Sequence, residues 1–296
     1  MPDAPTIAFV TMVRDDHVFL RLWVDYYARH VPRQHLFILL DGFDQTPPDF
    51  TAGCQIITLP RCTPGPGWDM RRWVMLADFN ATLLGRFDVV VLNDVDEIIV
   101  PDPASGVSLL DALARAREVG VISPFAVEVV HRYDICPAPL DPAQPILRQR
   151  PHVRIHSSYS KPCITSVPVR WSLGGHQSDF SNLHLDPALF LFHLRFVDRD
   201  MLLERQAMRH SLMQVPAPRE QEIAGNGWAK SSDDIDDFLL ALQSTGAPQE
   251  VDFKFEWQRK RITSDWQMDR NSTLWRHGKV KNLRIYWVPE RFHDLI

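Results

Sequence analysis

Cysteine is scarce. Cys54, Cys62, Cys136 and Cys163 are spread over 296 positions, and none forms a Cys-x-x-Cys pair. That spacing argues against a disulfide framework or a zinc knuckle and fits a reducing, cytoplasmic compartment. An excess of positive charge is also missing. The formal net charge is -5, which points away from nucleic acid as a partner. No apolar run approaches the roughly 20 residues of a membrane-spanning helix, so membrane contact would be peripheral, at the inner face. Residues 1–5 carry no charged leader, which predicts no secretory signal. The sequons at Asn80 and Asn271 are therefore read as chance. Proline, by contrast, is plentiful: 23 residues, many in the middle third, predict long ordered loops. With 45% hydrophobic and 23% charged residues, the chain can bury one sizeable core, with or without an appendage.

The first half alternates strand and helix signals. Apolar runs at 6–13, 35–40 and 55–59 read as strands. Between them, residues 17–30 space Phe19, Leu20, Trp23, Val24 and Tyr27 at helical intervals. Residues 69–84 read as a helix with Asp69 as N-cap and Gly85 as stop. A strand at 89–92 ends in an acidic turn, followed by a helix at 108–118 and a strand at 119–130. This order predicts an α/β fold, a Rossmann-like, mostly parallel sheet flanked by helices. Residues 137–168, irregular and proline-rich, read as surface loops with or without a β-ribbon. Strands are expected at 168–171 and 188–195, and an amphipathic helix at 198–214. The composition shifts after Pro216, so we expect a catalytic domain over 1–215 and a C-terminal extension over 216–296, mainly helical and irregular. It begins with a helix at 231–244 whose acidic first turn suits the macrodipole. An aromatic-basic stretch at 253–287 is expected to pack back on the core.

The most specific feature is Val89-Val90-Val91-Leu92-Asn93-Asp94-Val95-Asp96-Glu97. Side chains two apart leave a strand on the same side. Asp94 and Asp96 would thus converge on the crevice at the strand's carboxyl end, where open α/β sheets bind ligands. Paired carboxylates there suit Mn²⁺ or Mg²⁺, which in turn can hold a diphosphate. The alternative is a solvated acidic turn. Two further acidic loops, Arg14-Asp15-Asp16 and Asp41-Gly42-Phe43-Asp44, should meet the first at the same sheet edge. Such a cluster repels itself unless a cation or sugar hydroxyls separate the charges.

Four runs taken together, Thr11-Met12-Val13-Arg14-Asp15-Asp16, Trp23-Val24-Asp25-Tyr26-Tyr27, Phe37-Ile38-Leu39-Leu40-Asp41 and Asn93-Asp94-Val95-Asp96-Glu97, resemble the family 2-like and family 92-like glycosyltransferases of the GT-A fold. The resemblance spans residues 6–213. It departs at Asp15-Asp16, where members commonly carry Asn-Glu. It implies inverting, metal-dependent transfer of a sugar from a nucleotide-sugar donor, a UDP- or GDP-sugar, to a glycan or lipid-linked acceptor hydroxyl. By the same resemblance Asp94 faces the ribose or the metal, and Asp96 ligates Mn²⁺ or Mg²⁺. Asp41, with Asp15 or Arg14, lines the base and ribose pocket. Lys161 and His176, the latter in Gly174-Gly175-His176, match a Lys…Gly-x-His arrangement. His193 falls where such enzymes place a late histidine on the metal or diphosphate. Glu97 either supports the metal ligands or caps the next segment.

Other candidates come from chemistry alone. Arg71 and Arg72 open a helix and can receive phosphate oxygens, or form a solvated face. An inverting displacement needs a carboxylate to take the acceptor proton, and Asp179, then Glu128, are the candidates. The basic stretch 148–156 would grip an anionic acceptor or be a solvated loop, and its His152 and His156 lack a companion carboxylate for a metal. Two rivals stay open. A sugar-phosphate nucleotidyltransferase would want glycine in the loop after the first strand, and Arg14-Asp15-Asp16-His17 has none. A non-catalytic glycan-binding module on a degenerate fold would not need Asp94 and Asp96.

Overall fold

A computed structural model describes residues 5–62, 64–212 and 227–296. The chain opens with β1 (Ile7–Val13), α1 (His17–Tyr27), β2 (Leu36–Asp41) and β3 (Gln55–Leu59). It continues through α2 (Trp68–Leu83), β4 (Val89–Leu92) and, across the acidic turn, β5 (Glu97–Pro101). Next come α3 (Leu109–Ala114), α4 (Ala116–Val119) and β6 (Val121–Val130). The middle holds α5 (Ile146–Gln149), β7 (His152–His156), β8 (Ile164–Thr165), β9 (Leu185–Phe196) and α6 (Arg199–Leu212). The last part holds α7 (Ser232–Gln243), α8 (Glu256–Ser264), a short ribbon of β10 (Gln267–Met268) and β11 (Trp275–Arg276), and β12 (Lys281–Trp287).

The fold is α/β, a Rossmann-like mixed sheet of 10 strands flanked by helices. Its N-terminal half, β3-β2-β1-β4, is parallel throughout. Alternation along β1 explains the layering. Ile7, Phe9 and Val13 enter one apolar core with Trp23 and Tyr27 of α1, whereas Ala8 and Val10 enter a second with Trp73 and Leu76 of α2. β8 then runs antiparallel between β4 and β6, and β7 and β12 extend that edge antiparallel. β9 lies parallel to β6 and pairs antiparallel with β5. The C-terminal part is thus stitched to the main sheet by β12, and Phe253, Phe255 and Phe292 pack into its principal core. The expected boundary between residues 215 and 216 lies outside the described residues. Among the described residues, no helix is long and apolar enough to cross a membrane.

Several local expectations need correction. Asp69 is not the α2 N-cap: Gly67 holds that position in the left-handed region, and Asp69 accepts from Arg72 Nε at 2.8 Å instead. α2 ends at Leu83 with Leu84 as C-cap, so Gly85 does stand just past the helix as its stop, but without a left-handed φ. The helix at 108–118 is two short helices on either side of Arg115, the first capped by Ser108. Residues 168–171 form no strand beyond a bridge from Trp171 to Ser178, because Pro168 has no N–H to give a ladder. Within residues 137–168 the structure adds a short helix, α5, to the loops and strands, and β7 and β8 join the main sheet. The last two residues of the helix expected at 198–214 lie outside the described residues.

Candidate active site

The parallel half of the sheet delivers three loops to one edge, and a cleft of about 520 Å³ opens there. The acidic turn forms its floor. α1 fixes that turn: Trp23 Nε1 donates to Asn93 Oδ1 at 3.3 Å, and Asn93 Nδ2 donates to Tyr27 Oη at 3.2 Å and to the Glu97 carbonyl. Ile99 N also donates to Tyr27 Oη, at 3.0 Å. The aromatic residues at Trp23 and Tyr27 therefore hold the turn that carries Asp94 and Asp96.

Both aspartates line the cleft, and each meets a cation. Lys161 Nζ lies 3.0 Å from Asp94 Oδ2 and 2.6 Å from Glu97 Oε1. One ammonium is thus shared by two carboxylates. Burial pushes Glu97 up, to about 7, with Lys161 offsetting part and Asp94 adding to it. Arg205 Nη2 lies 3.0 Å from Asp96 Oδ2 and 2.7 Å from Asp16 Oδ2. Burial opposes ionisation of Asp96, but Arg205 and His193 together hold its carboxyl well below the usual carboxylate range.

Strand register builds a row of buried charge beside this floor. Glu97 stands opposite His193, His193 opposite Glu128, and Glu128 opposite Arg154. His193 Nδ1 donates to Glu128 Oε1 at 3.1 Å, and Glu128 is ion-paired with Arg154. The imidazole stacks on Tyr159 with ring centroids 3.8 Å apart and lines the cleft. A carboxylate behind an imidazole fixes its tautomer and aims the other nitrogen away, as in many metal-bound histidines.

Among the described residues, no three His, Cys, Asp or Glu side chains converge as a metal cage. Mg²⁺ and Mn²⁺ do not require one, because they commonly take one or two carboxylates and complete their shell with phosphate oxygens and water. Among the described residues, Asp94 and Asp96 each keep an Oδ1 with no hydrogen-bond partner beside the cleft, and His193 is seated by Glu128. Hard oxygens with an imidazole suit these ions. The donor set fits.

The other predicted residues divide. Arg14, Asp41, Arg72, Lys161 and His176 line the cleft. Arg14 clamps the two N-terminal loops, donating to the Asp41 carbonyl at 2.6 Å and to Asp44 Oδ2 at 2.6 Å. His176 is neutral: burial and then Lys161 push it down to about 3, and its Nδ1 donates to the Ser158 carbonyl at 2.7 Å. Gly175 has a positive φ, and a Cβ there would meet Trp73 at 2.5 Å, so this backbone packs against α2.

Four assignments are not supported. Asp15 turns outward, half exposed, and the neighbouring Asp16 lines the cleft in its place. Arg71 is exposed and donates to the Pro66 carbonyl. Asp179 is exposed, bonded to the backbone of Arg170, and lies outside the cleft. Glu128 is fully buried behind His193, where no acceptor reaches it. The basic stretch is internally paired as well: Arg148 with Asp294, Arg150 with Asp198, Arg154 with Glu128. Sequence reasoning missed Asp16, Tyr159, Arg205, Arg209 and Trp228, all of which line the cleft. The detectable signal was the like-charged pair Arg205 and Arg209, one turn apart on a helix, a spacing that repels without an anion.

Compared with protein-family models and with curated proteins, the chain finds no match.

Proposed function

We propose that this chain is a glycosyltransferase that moves a sugar from a nucleoside-diphosphate-sugar, UDP- or GDP-linked, to an acceptor hydroxyl with inversion. The observation that carries the reading is the charge of the cleft. Seven Arg and Lys side chains line it against five Asp, with Asp94 and Asp96 on its floor, in a chain of net charge -5. A net cationic crevice at the carboxyl edge of a parallel sheet suits a polyanion such as a diphosphate.

Breaking the anomeric C–O bond leaves charge on the departing diphosphate, and fixed cations aimed at that charge lower the barrier. Lys161 and Arg72 stand beside Asp94 for this purpose. Asp94 and Asp96 would hold Mn²⁺ or Mg²⁺ together with phosphate oxygens and water, with His193 beside Asp96, and the ion when bound adds Lewis-acid stabilisation of the leaving group. Arg14 and Asp41 bound the nucleoside end. Proton removal from the acceptor falls to Asp16, whose carboxyl is raised above its ordinary value by burial, against the pull of Arg205. Four scattered cysteines with no Cys-x-x-Cys pair suit a reducing, cytoplasmic location.

The test is a thermal-shift panel of UDP, GDP, CMP, dTDP and their sugar conjugates, each with and without Mn²⁺. A ligand that binds only the native state raises the melting temperature. A metal-enhanced rise with one nucleoside diphosphate supports the reading. No rise with any donor removes it in favour of a non-catalytic module.

A further inference from the structure

One wall of the cleft is not explained by its protein partners. α6 sends Arg205 and Arg209 toward the cleft, and β9 sends Arg195 beside them. Arg205 spends one nitrogen on Asp16 and Asp96, yet its Nη1 is buried with no partner. Arg195 donates through Nη2 to Gln206 at 2.9 Å, yet its Nε is also buried and unpartnered. Among the described residues Arg209 has no hydrogen bond and no close ion pair: the ring of Trp228 lies 5.4 Å from its guanidinium, and Asp96 and Asp16 act on it only from beyond ion-pair distance. Buried donors without acceptors are rare in folded proteins and call for an absent group.

The wall is also built. Gln206 is fully buried, and its Nε2 donates to the carbonyls of Gly227, Trp228 and Lys230 at 3.1, 3.3 and 2.6 Å. This ties the 227–230 segment to α6. Trp228 in turn meets Trp68, at the start of α2, edge to face with centroids 5.6 Å apart. The aromatic pair roofs the guanidinium cluster and excludes water from one side, which strengthens any charge pairing beneath it.

We propose that Arg195, Arg205 and Arg209, roofed by Trp228, form an oxyanion subsite for a phosphate or carboxylate group of the substrate. Planar guanidinium forks match both groups in pairs of hydrogen bonds. Burial and then crowding by Arg205 and Arg195 lower the Arg209 pKa to about 10, with Asp96 and Asp16 offsetting only part. The subsite rests on the unpaired donors. Assigning its anion to the donor's diphosphate or to an acidic group on the acceptor rests on the transferase reading.

Isothermal titration of inorganic pyrophosphate into the metal-free full chain tests this. The expected result is saturable binding, weakened about tenfold or more in Arg209→Gln, the loss typical of a charge-assisted hydrogen bond. Arg148→Gln, on the surface with Asp294, should bind as the wild type does. Unliganded Arg209→Gln should melt no lower than the wild type, since that guanidinium has no ion pair to lose. A repeat with saturating UDP or GDP separates the sources: competition identifies the donor's diphosphate, and undisturbed binding identifies an acceptor group. If neither nucleotide binds while pyrophosphate still binds through Arg209, the subsite stands and the transferase reading falls. No pyrophosphate binding, equal affinity in Arg209→Gln, or a lower melting temperature of that variant overturns the subsite.

Discussion

Replacing Glu128 with glutamine probes the buried charge row that seats His193. Glu128 and Arg154 side chains are 1% and 3% exposed, so their ion pair is almost free of solvent screening. Arg154 lies over Phe196 and Phe238, at 5.7 and 4.8 Å, and its Nε and Nη1 already lack partners. Nothing nearby can take up the charge once the carboxylate is gone. Removing one partner of a buried pair costs about 3–5 kcal/mol, because the other charge is left uncompensated. Glutamine keeps the volume and one acceptor oxygen, which places Glu128→Gln near the low end, about 3 kcal/mol. Urea unfolding monitored by far-ultraviolet circular dichroism reads this directly. The double variant Glu128→Leu, Arg154→Met should recover to within about 1 kcal/mol of the wild type, since apolar residues of similar volume escape both desolvation penalties. Glu128→Leu and Arg154→Met made singly, with the double variant, close a cycle that isolates the pair. A Glu128→Gln protein as stable as the wild type, or a double variant as unstable as the two singles added, would refute the buried row.

Three further outcomes follow from particular residues. His152 is fully buried, with neither ring nitrogen partnered, and packs 4.4 Å from Trp287. Burial, then Arg132, push its pKa from 6.5 down to about 4. The unfolded chain therefore binds its proton first, and stability is lost as pH falls from about 6.5 toward 4, by up to roughly 3 kcal/mol. His152→Leu should flatten that slope in unfolding curves taken across the interval. Phe253→Ala should cost about 3–5 kcal/mol, and the C-terminal part should unfold in one transition with the main sheet, seen as a single calorimetric peak. Asp179→Ala should leave sugar transfer within about twofold of wild type, a change worth under 1 kcal/mol; a loss of two orders of magnitude would return Asp179 to the mechanism.

What could be read from the sequence followed from short-range physics. The β-branched run at 89–92 and the continuous apolar runs of β1 and β2 specify strands, and the parallel order of the first half follows from the helices between them. Asp94 and Asp96 were legible because a period of two puts them on one side of a strand end. Asp16 was not distinguished from Asp15, because one residue of turn geometry, with Asp15 at φ 52°, decides which side chain enters the cleft. Glu128 and Asp179 looked alike in sequence. Only register sets Glu128 behind His193, and only a turn-like bond to Arg170 turns Asp179 away. Arg205 reaches Asp96 of the acidic turn across more than a hundred residues of chain, a contact that no local pattern encodes.

The central claim is that the Asp94–Asp96 cleft turns over a nucleotide-sugar. The direct measurement is release of free nucleoside diphosphate from a panel of UDP- and GDP-sugars, with Mn²⁺ and a mixed pool of glycan acceptors, by wild type and by Asp94→Asn. The account predicts turnover of one donor by the wild type and its loss in the variant. Release from no donor, or equal release by both proteins, would contradict it.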